Sequence, residues 1–304
     1  MPASENASDQ HRDYGAWIAL CVMAVCMSLS FVFTKISLEG FTLAQATGGR
    51  LVIGAALLLP LAFIVGEGLP LKFWFWKWAV ILGLINFVLP FALSTYGQLH
   101  LPSNIVGAMF SLIPLLTIAL SALILRVTIS KRKFLGLVIG LLGLLVISEP
   151  AKWVGETGWE HALPMIATLG AIGCFAIAAI LMRLMPAVHP LSVTGGSAIV
   201  ASLFGIYPFV TVFDGSLPPL RPWIGLFGVS VLSTTIAYSI RFYLIRRKGP
   251  VFLAPNAYIS IILVNVFGVA VLGDAITTPM VIAIPLIIVG LFVALDNSGY
   301  MKQV

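Results

Sequence analysis

Charge is what this chain has least of. Only 9% of its 304 residues are Asp, Glu, Lys or Arg, whereas 60% are hydrophobic and the mean hydropathy is +1.08. A soluble fold of that composition would have too little polar surface to face water, but a bilayer solvates apolar side chains directly. Cysteine is also scarce. Cys21, Cys26 and Cys174 each fall inside an apolar stretch and show no paired spacing, which excludes a disulfide framework or a redox motif and leaves small buried fillers as the expectation. The histidines, His11, His100, His161 and His189, are scattered over loops and termini, and no Gly-rich loop continues into Gly-Lys-Ser/Thr. No metal, cofactor or nucleotide site is therefore expected, and a membrane enzyme would need a concentration of ionisable groups that this chain lacks. All eleven carboxylates (Glu5, Asp9, Asp13, Glu39, Glu67, Glu149, Glu156, Glu160, Asp214, Asp274 and Asp296) fall in termini, loops or the ends of apolar stretches. A proton-coupled exporter of organic cations normally relies on a carboxylate at mid-membrane, so that chemistry lacks its central group.

What the chain does have is apolar length. Ten stretches lie near 15–37, 43–65, 74–97, 103–126, 133–150, 160–184, 190–213, 222–244, 251–273 and 279–297. Most approach the roughly 20 residues a helix needs to cross a bilayer core of about 30 Å. The short connections leave no room for a soluble domain. The first stretch is too long for a signal peptide and lacks a cleavage-site context, so it is expected to be retained as a helix.

The ten stretches read as one five-segment unit written twice, about 147 residues apart. At that offset Thr47-Gly48-Gly49 lies over Thr194-Gly195-Gly196, Trp76 over Trp223, Tyr96 over Tyr243 and Gly143-Leu144 over Gly290-Leu291. The charges swap loops instead. Lys131-Arg132-Lys133 follows the fourth segment where its counterpart carries Thr277-Thr278-Pro279, and Arg246-Arg247-Lys248 precedes the ninth where the first half has Leu99-His100-Leu101. An odd number of spans per copy turns the second copy over, so basic loops kept on one side must move in this way. The expected fold is all-α and integral to the membrane: ten transmembrane helices in two inverted repeats, 15–150 and 160–297, joined by a 151–159 linker and flanked by tails 1–14 and 298–304. Mid-helix prolines such as Pro90 and Pro114, together with the duplication, favour alternating access over a channel.

Counting Lys and Arg over alternate loops orients the chain. With the N-terminus in the cytoplasm, 13 of the 17 lie inside: Arg12, Lys72, Lys77, Arg126, Lys131, Arg132, Lys133, Arg183, Arg241, Arg246, Arg247, Lys248 and Lys302. Lys35, Arg50, Lys152 and Arg221 fall outside. Both termini are thus expected on the cytoplasmic side of a bacterial-type inner membrane. The net charge of +6 follows from topology, with anionic lipid as the partner of the basic clusters and no role in nucleic-acid binding.

Position by position the chain resembles the drug/metabolite transporter superfamily, in particular its EamA-type ten-helix exporters. The residues that carry the resemblance are Phe31-Val32-x2-Lys35 with Leu38-Glu39-Gly40, then Arg50-Leu51, the stretch from Pro102 through Pro114 to Leu125, Gly249-Pro250-Val251-Phe252, Tyr258, and Leu272-Gly273-Asp274. The family's first-helix Trp-Gly pair is Met27-Ser28 here, its ninth-helix proline falls at Ile261, and its acidic residue closing the fourth helix falls at Val127. The resemblance implies a basket-shaped carrier with a central cavity lined mainly by helices one, three, four, six, eight and nine, with helices five and ten peripheral. It also implies a small-molecule cargo.

Polar groups inside a bilayer are costly unless they face a wet cavity or another helix, so they mark the candidate path. The candidates are Ser30, Thr34, Lys35, Asn86, Tyr96, Ser111, Tyr238, Arg241, Asn256, Tyr258, Ser260 and Asn265. The competing role for Ser and Thr is a hydrogen bond back to their own helix, and for Asn and Tyr one between helices. Lys35 and Arg241 are the deepest cations on this reading, either snorkelling to the interface or facing the cavity to meet a carboxylate. Trp74-Phe75-Trp76-Lys77-Trp78 is expected to anchor the third helix at an interface. Gly136, Gly140 and Gly143 share one face of the fifth helix, for internal packing or for the contact of a weak homodimer if the protein is not a monomer. The expected function is secondary transport of small polar metabolites, namely export of amino acids or related zwitterions, with amphipathic drugs, organic anions or nucleobase-like solutes, moved outward or inward, as the alternative cargo.

Overall fold

The computed structural model describes residues 14–125, 130–149, 158–186, 188–215, 217–248 and 250–295. The tail before Tyr14, most of the 151–159 linker, Val127 and the 298–304 tail lie outside this set. The described residues form helices and turns without a strand: α1 (Tyr14–Ser37), α2 (Leu43–Ile64), α3 (Phe73–His100), α4 (Ser103–Ile124), α5 (Lys131–Ser148), α6 (Gly158–Leu184), α7 (Pro190–Val210), α8 (Leu220–Arg241, running on to Lys248), α9 (Pro255–Leu272) and α10 (Thr278–Leu295). Among the described residues, eight helices are long and apolar enough to cross a membrane, α5 and α10 not being among them. Local chemistry sets several ends. Thr42 and Gln45 form a capping box at the start of α2, and Ser130 accepts the Lys133 N–H at the start of α5.

The duplication is visible in how the helices pack. α2 packs on α7 and α5 on α10, each helix against its own counterpart. The pairing of α3 with α6 is matched by α8 with α1, that of α1 with α9 by α6 with α4, and that of α3 with α7 by α8 with α2. Exchanging each helix for the one five places on returns the same set, as a pseudo-twofold relation between the halves requires.

Close approach on the self-paired seams depends on glycine. A methyl group at Gly48 would stand 2.6 Å from the Gly205 carbonyl oxygen, and one at Gly290 2.6 Å from the Gly140 nitrogen. Gly136 and Gly143 pack likewise on Gly290, Ala294 and Ile287 of α10, so this face is consumed inside the protein and is not a surface for a second copy.

Three further expectations need adjustment. Within the Trp74–Trp78 run Phe75 is 1% exposed and lies over Gly196 of α7, so this ring packs between helices. Cys26 is buried, but Cys21 faces outward. Arg50, assigned above to an outer loop, sits inside α2 and is 7% exposed. It is therefore a deeper cation than half-buried Lys35 or Arg241.

Two helices lose regular α geometry at corresponding places. α3 opens into a π turn over Leu84–Val88 and α8 over Val229–Ala237, and an offset of 147 carries the first inside the second. In α3 the cause is Pro90, which has no N–H and whose ring would clash with the carbonyl four residues back. In α8 it is a run of hydroxyls: Ser230 donates to Leu226 O (2.8 Å), Thr235 to Ser230 O (3.0 Å) and Ser239 to Thr235 O (2.7 Å). π turns interrupt the ladder and frequently mark functional sites.

Candidate functional site

The two π turns face a shared polar cluster. Asn86 from the first and Ser233 and Thr234 from the second are all buried, as is Tyr238 just beyond. Gly54 of α2 meets Thr234, where a methyl group would lie 2.7 Å from its Cγ2, and this approach brings Arg50, one turn earlier, against α8. The Arg50 guanidinium donates from Nε to Thr234 Oγ1 and from one terminal nitrogen to Ser233 Oγ, both at 3.2 Å. Its face lies over the Phe91 ring, 3.7 Å from the centroid. Phe87 stacks on Tyr238 at 5.6 Å, next to the Asn86 side chain. A cation, a phenol, an amide and two hydroxyls therefore converge at the junction of α2, α3 and α8, walled by aromatic rings.

Of the sequence-derived candidates this cluster unites Asn86 and Tyr238, with half-buried Arg241 one turn further along α8. Arg50 and Phe91 are additions. The signal for Arg50 was depth: it is the eighth residue of α2, about 10 Å along the axis from its start, too far for a residue at the helix mouth. It also comes from α2, a helix outside the set expected to line the path.

The other candidates divide by location. Ser30, Thr34 and Ser111 donate to carbonyls of their own helix (Met27, Ser30 and Ala108, at 2.6, 2.7 and 2.6 Å). Asn265 does the same to Ile261 O at 2.6 Å, leaving its Oδ1 buried without a partner. Asn256 reaches Met27 Sδ of α1 at 3.8 Å, and Ser28 donates to Ser260 O at 3.3 Å. Asn256 Oδ1 and Ser260 Oγ are buried and unpartnered along this α1–α9 seam. Tyr258 is half-buried, and Tyr96 sits against His100 with ring centroids 4.5 Å apart, away from the cluster.

Lys35 and Asp274 fasten one end of the bundle. Lys35 Nζ donates to Gln98 O (2.5 Å) and Leu101 O (3.1 Å), satisfying carbonyls at the C-terminus of α3. The Asp274 carboxylate accepts from Ser103 Oγ (2.5 Å) and Asn104 N (3.1 Å) at the N-terminus of α4, where negative charge is favoured. Asn104 Nδ2 in turn donates to Ala275 O at 3.2 Å. At this same end Arg221 pairs with Glu39 at 3.2 Å.

The latch breaks the symmetry of the halves. At the Asp274 end the first part of α4 (Ser103–Phe110) packs closely on α9, with Gly107 against Val264 and Gly268 against Ser103 and Asn104. The mirror-related pairing, of Ile113–Leu125 with the start of α9, is not made to a comparable extent among the described residues, because that part of α4 packs on α5, α6 and α10. Among the described residues, α4 and α9 thus meet closely at the Asp274 end and less so at the other. Because Lys35 bonds only main-chain oxygens, Lys35→Met should lower thermal stability by about 1 kcal/mol while leaving solute flux near normal. Lost flux at unchanged melting temperature would make Lys35 a cargo ligand instead.

The model of the EamA-like transporter family matches residues 15–149 and again 162–295, one match for each half. The chain belongs to the EamA-like transporter family. It is 24% identical over 290 residues to an uncharacterized transporter of Archaeoglobus fulgidus, spanning 91% of this chain and 97% of that one. A Chlamydia trachomatis protein named as an S-adenosylmethionine/S-adenosylhomocysteine transporter is 25% identical over 88% of this chain and 85% of its own length. The protein PecM of Dickeya dadantii is 25% identical over 82% and 83%. A crystal structure covering 92% of this chain and 97% of its own superposes with a TM-score of 0.62 at 17% identity, a likeness of fold alone. Like its family, the chain is a multi-pass membrane transporter.

Proposed function

We propose that this EamA-like transporter carries amino acids or related zwitterions out of the cytoplasm by alternating access, with all ten helices crossing the inner membrane. The observation that carries this reading is the buried polar cluster between symmetry-related π turns in a duplicated bundle latched at one end. A zwitterion needs a cationic contact and neutral hydrogen-bonding groups, and the cluster offers Arg50 with the Asn86 amide and the Tyr238 hydroxyl. Oriented by the Lys and Arg count, the Lys131 and Arg246 end lies in the cytoplasm and the latched Asp274 end faces outward. Reporter fusions after Lys133 and Lys248 should both behave as cytosolic.

S-adenosylmethionine is a second cargo to test, since the chlamydial relative is named for it and the molecule bears an α-amino acid group. The test is flux of labelled amino acids and S-adenosylmethionine in proteoliposomes. Among the described residues, carboxylates stand at helix ends or in turns, with no mid-membrane proton acceptor. Zwitterion flux should then follow the solute gradient and respond little to an imposed pH gradient or to membrane potential, although each charge moved would couple to about 2.3 kcal/mol per 100 mV. Uphill accumulation driven by protons would overturn the facilitator reading.

A further inference from the structure

We propose that Arg50 is the anion-binding residue of this carrier, its guanidinium receiving the carboxylate of the cargo beside the Tyr238 hydroxyl. The inference rests on the zwitterion reading above and deepens it by naming the group that confers selectivity. Arg50 lies within a membrane-crossing helix, is 7% exposed, and has no carboxylate partner among the described residues. A buried cation without a counter-charge is costly, and a stable protein retains one where a ligand completes the pair.

The hydrogen bonding leaves room for that ligand. A guanidinium has five N–H donors in a planar fork, and among the described residues two are used, toward the hydroxyls of Thr234 and Ser233. Phe91 covers one face of the plane and fixes its orientation, so the remaining donors point along a defined edge, suited to bidentate carboxylate geometry. Tyr238 adds a hydroxyl whose ring is held by stacking on Phe87. Ser197 occupies the position of Arg50 in the second repeat, so the pseudo-twofold relation does not duplicate the cation and the carboxylate docks on one side of the axis. The π turn of α8 supplies both hydroxyl partners of Arg50, and straightening it during the transport cycle would change how tightly the fork is held.

The competing role is a tie between α2 and α8 that never meets cargo. Thermal stabilisation of the purified full-length protein separates the two, using amino acids, their carboxamides and the corresponding deaminated carboxylic acids as probes. Amino acids should stabilise the wild type and their carboxamides should bind about ten- to a hundredfold more weakly, the loss expected for one charge-assisted contact. Arg50→Gln should erase that discrimination, and Arg50→Lys, which keeps the charge without the fork, should restore part of it. If Arg50→Gln does not fold, the acid-against-amide comparison on the wild type still decides. Carboxamides binding as well as acids, or acids stabilising Arg50→Gln as well as wild type, would overturn the role of Arg50 and leave the zwitterion reading standing. Deaminated acids binding through Arg50 where amino acids do not would overturn the zwitterion reading and keep Arg50. Absence of stabilisation by amino acids and deaminated acids alike would overturn both.

Discussion

Solute flux should stop when the Asp274 end is locked by a disulfide between Asn104→Cys and Gly268→Cys, and a reductant should bring it back. A Cβ built at Gly268 stands 3.3 Å from the Asn104 Cβ, just below the roughly 3.5–4.5 Å that disulfides span, so a separation of a few tenths of an ångström brings the pair into range. The pair joins α4 to α9 where the two helices pack closely, and because the same Cβ stands 2.9 Å from Asp274 Oδ2 and 3.1 Å from Ser103 Oγ, these side chains must shift slightly to admit it. Cys21, Cys26 and Cys174 would be replaced by Ala so that only the designed bond forms. A carrier that must open both ends in turn cannot cycle with one fastened, so oxidised protein should bind amino acids yet move none. Undiminished flux in fully oxidised protein would show that α4 and α9 need not part.

Gly48→Leu should sharply lower the melting temperature and the membrane abundance of the protein. The added side chain would begin 2.6 Å from the Gly205 carbonyl oxygen and 3.3 Å from the Phe209 nitrogen, both main-chain atoms in the centre of the α2–α7 seam. Backbone cannot swing aside as a flexible side chain does. Overpacking of this kind costs about 3 kcal/mol, a large part of the ~5–15 kcal/mol that holds a typical domain together. Leu141→Ala, on the outward face of α5, should be nearly neutral by the same assay of membrane abundance and melting temperature. Equal loss in both would mean that α2 and α7 are not held by close glycine contact.

Much of the fold was legible because a bilayer imposes simple rules. Apolar length located each helix to within a few residues, and the 147-residue offset anticipated the matched helix pairs, whereas the π turns that coincide at the same offset were not read from the sequence. Gly136, Gly140 and Gly143 announced a close seam, but periodicity alone does not say whether the facing helix belongs to the same chain. The site was legible in part. Asn86 and Tyr238 stand out as polar groups in apolar stretches, whereas Arg50 was counted with an outer loop, where a long basic side chain ordinarily snorkels, although its place eight residues into α2 argued otherwise. Its burial depends on Gly54 admitting Thr234 and on Phe91 covering the guanidinium, which are relations between helices and invisible along one. Lys35 shows the opposite case, a conspicuous cation whose donors meet main-chain oxygens.

The most direct test of alternating exposure is the reactivity of a single cysteine at Tyr258→Cys, in a background without the native cysteines, toward a membrane-impermeant maleimide applied to either side of oriented vesicles. Tyr258 is half-buried on α9 beyond the part that α4 packs on closely. Labelling should occur from the Lys131 side, and removing the latch with Asp274→Ala should raise reactivity from the Asp274 side while lowering it from the other. Simultaneous, undiminished labelling from both sides would describe an open pore and contradict the carrier mechanism.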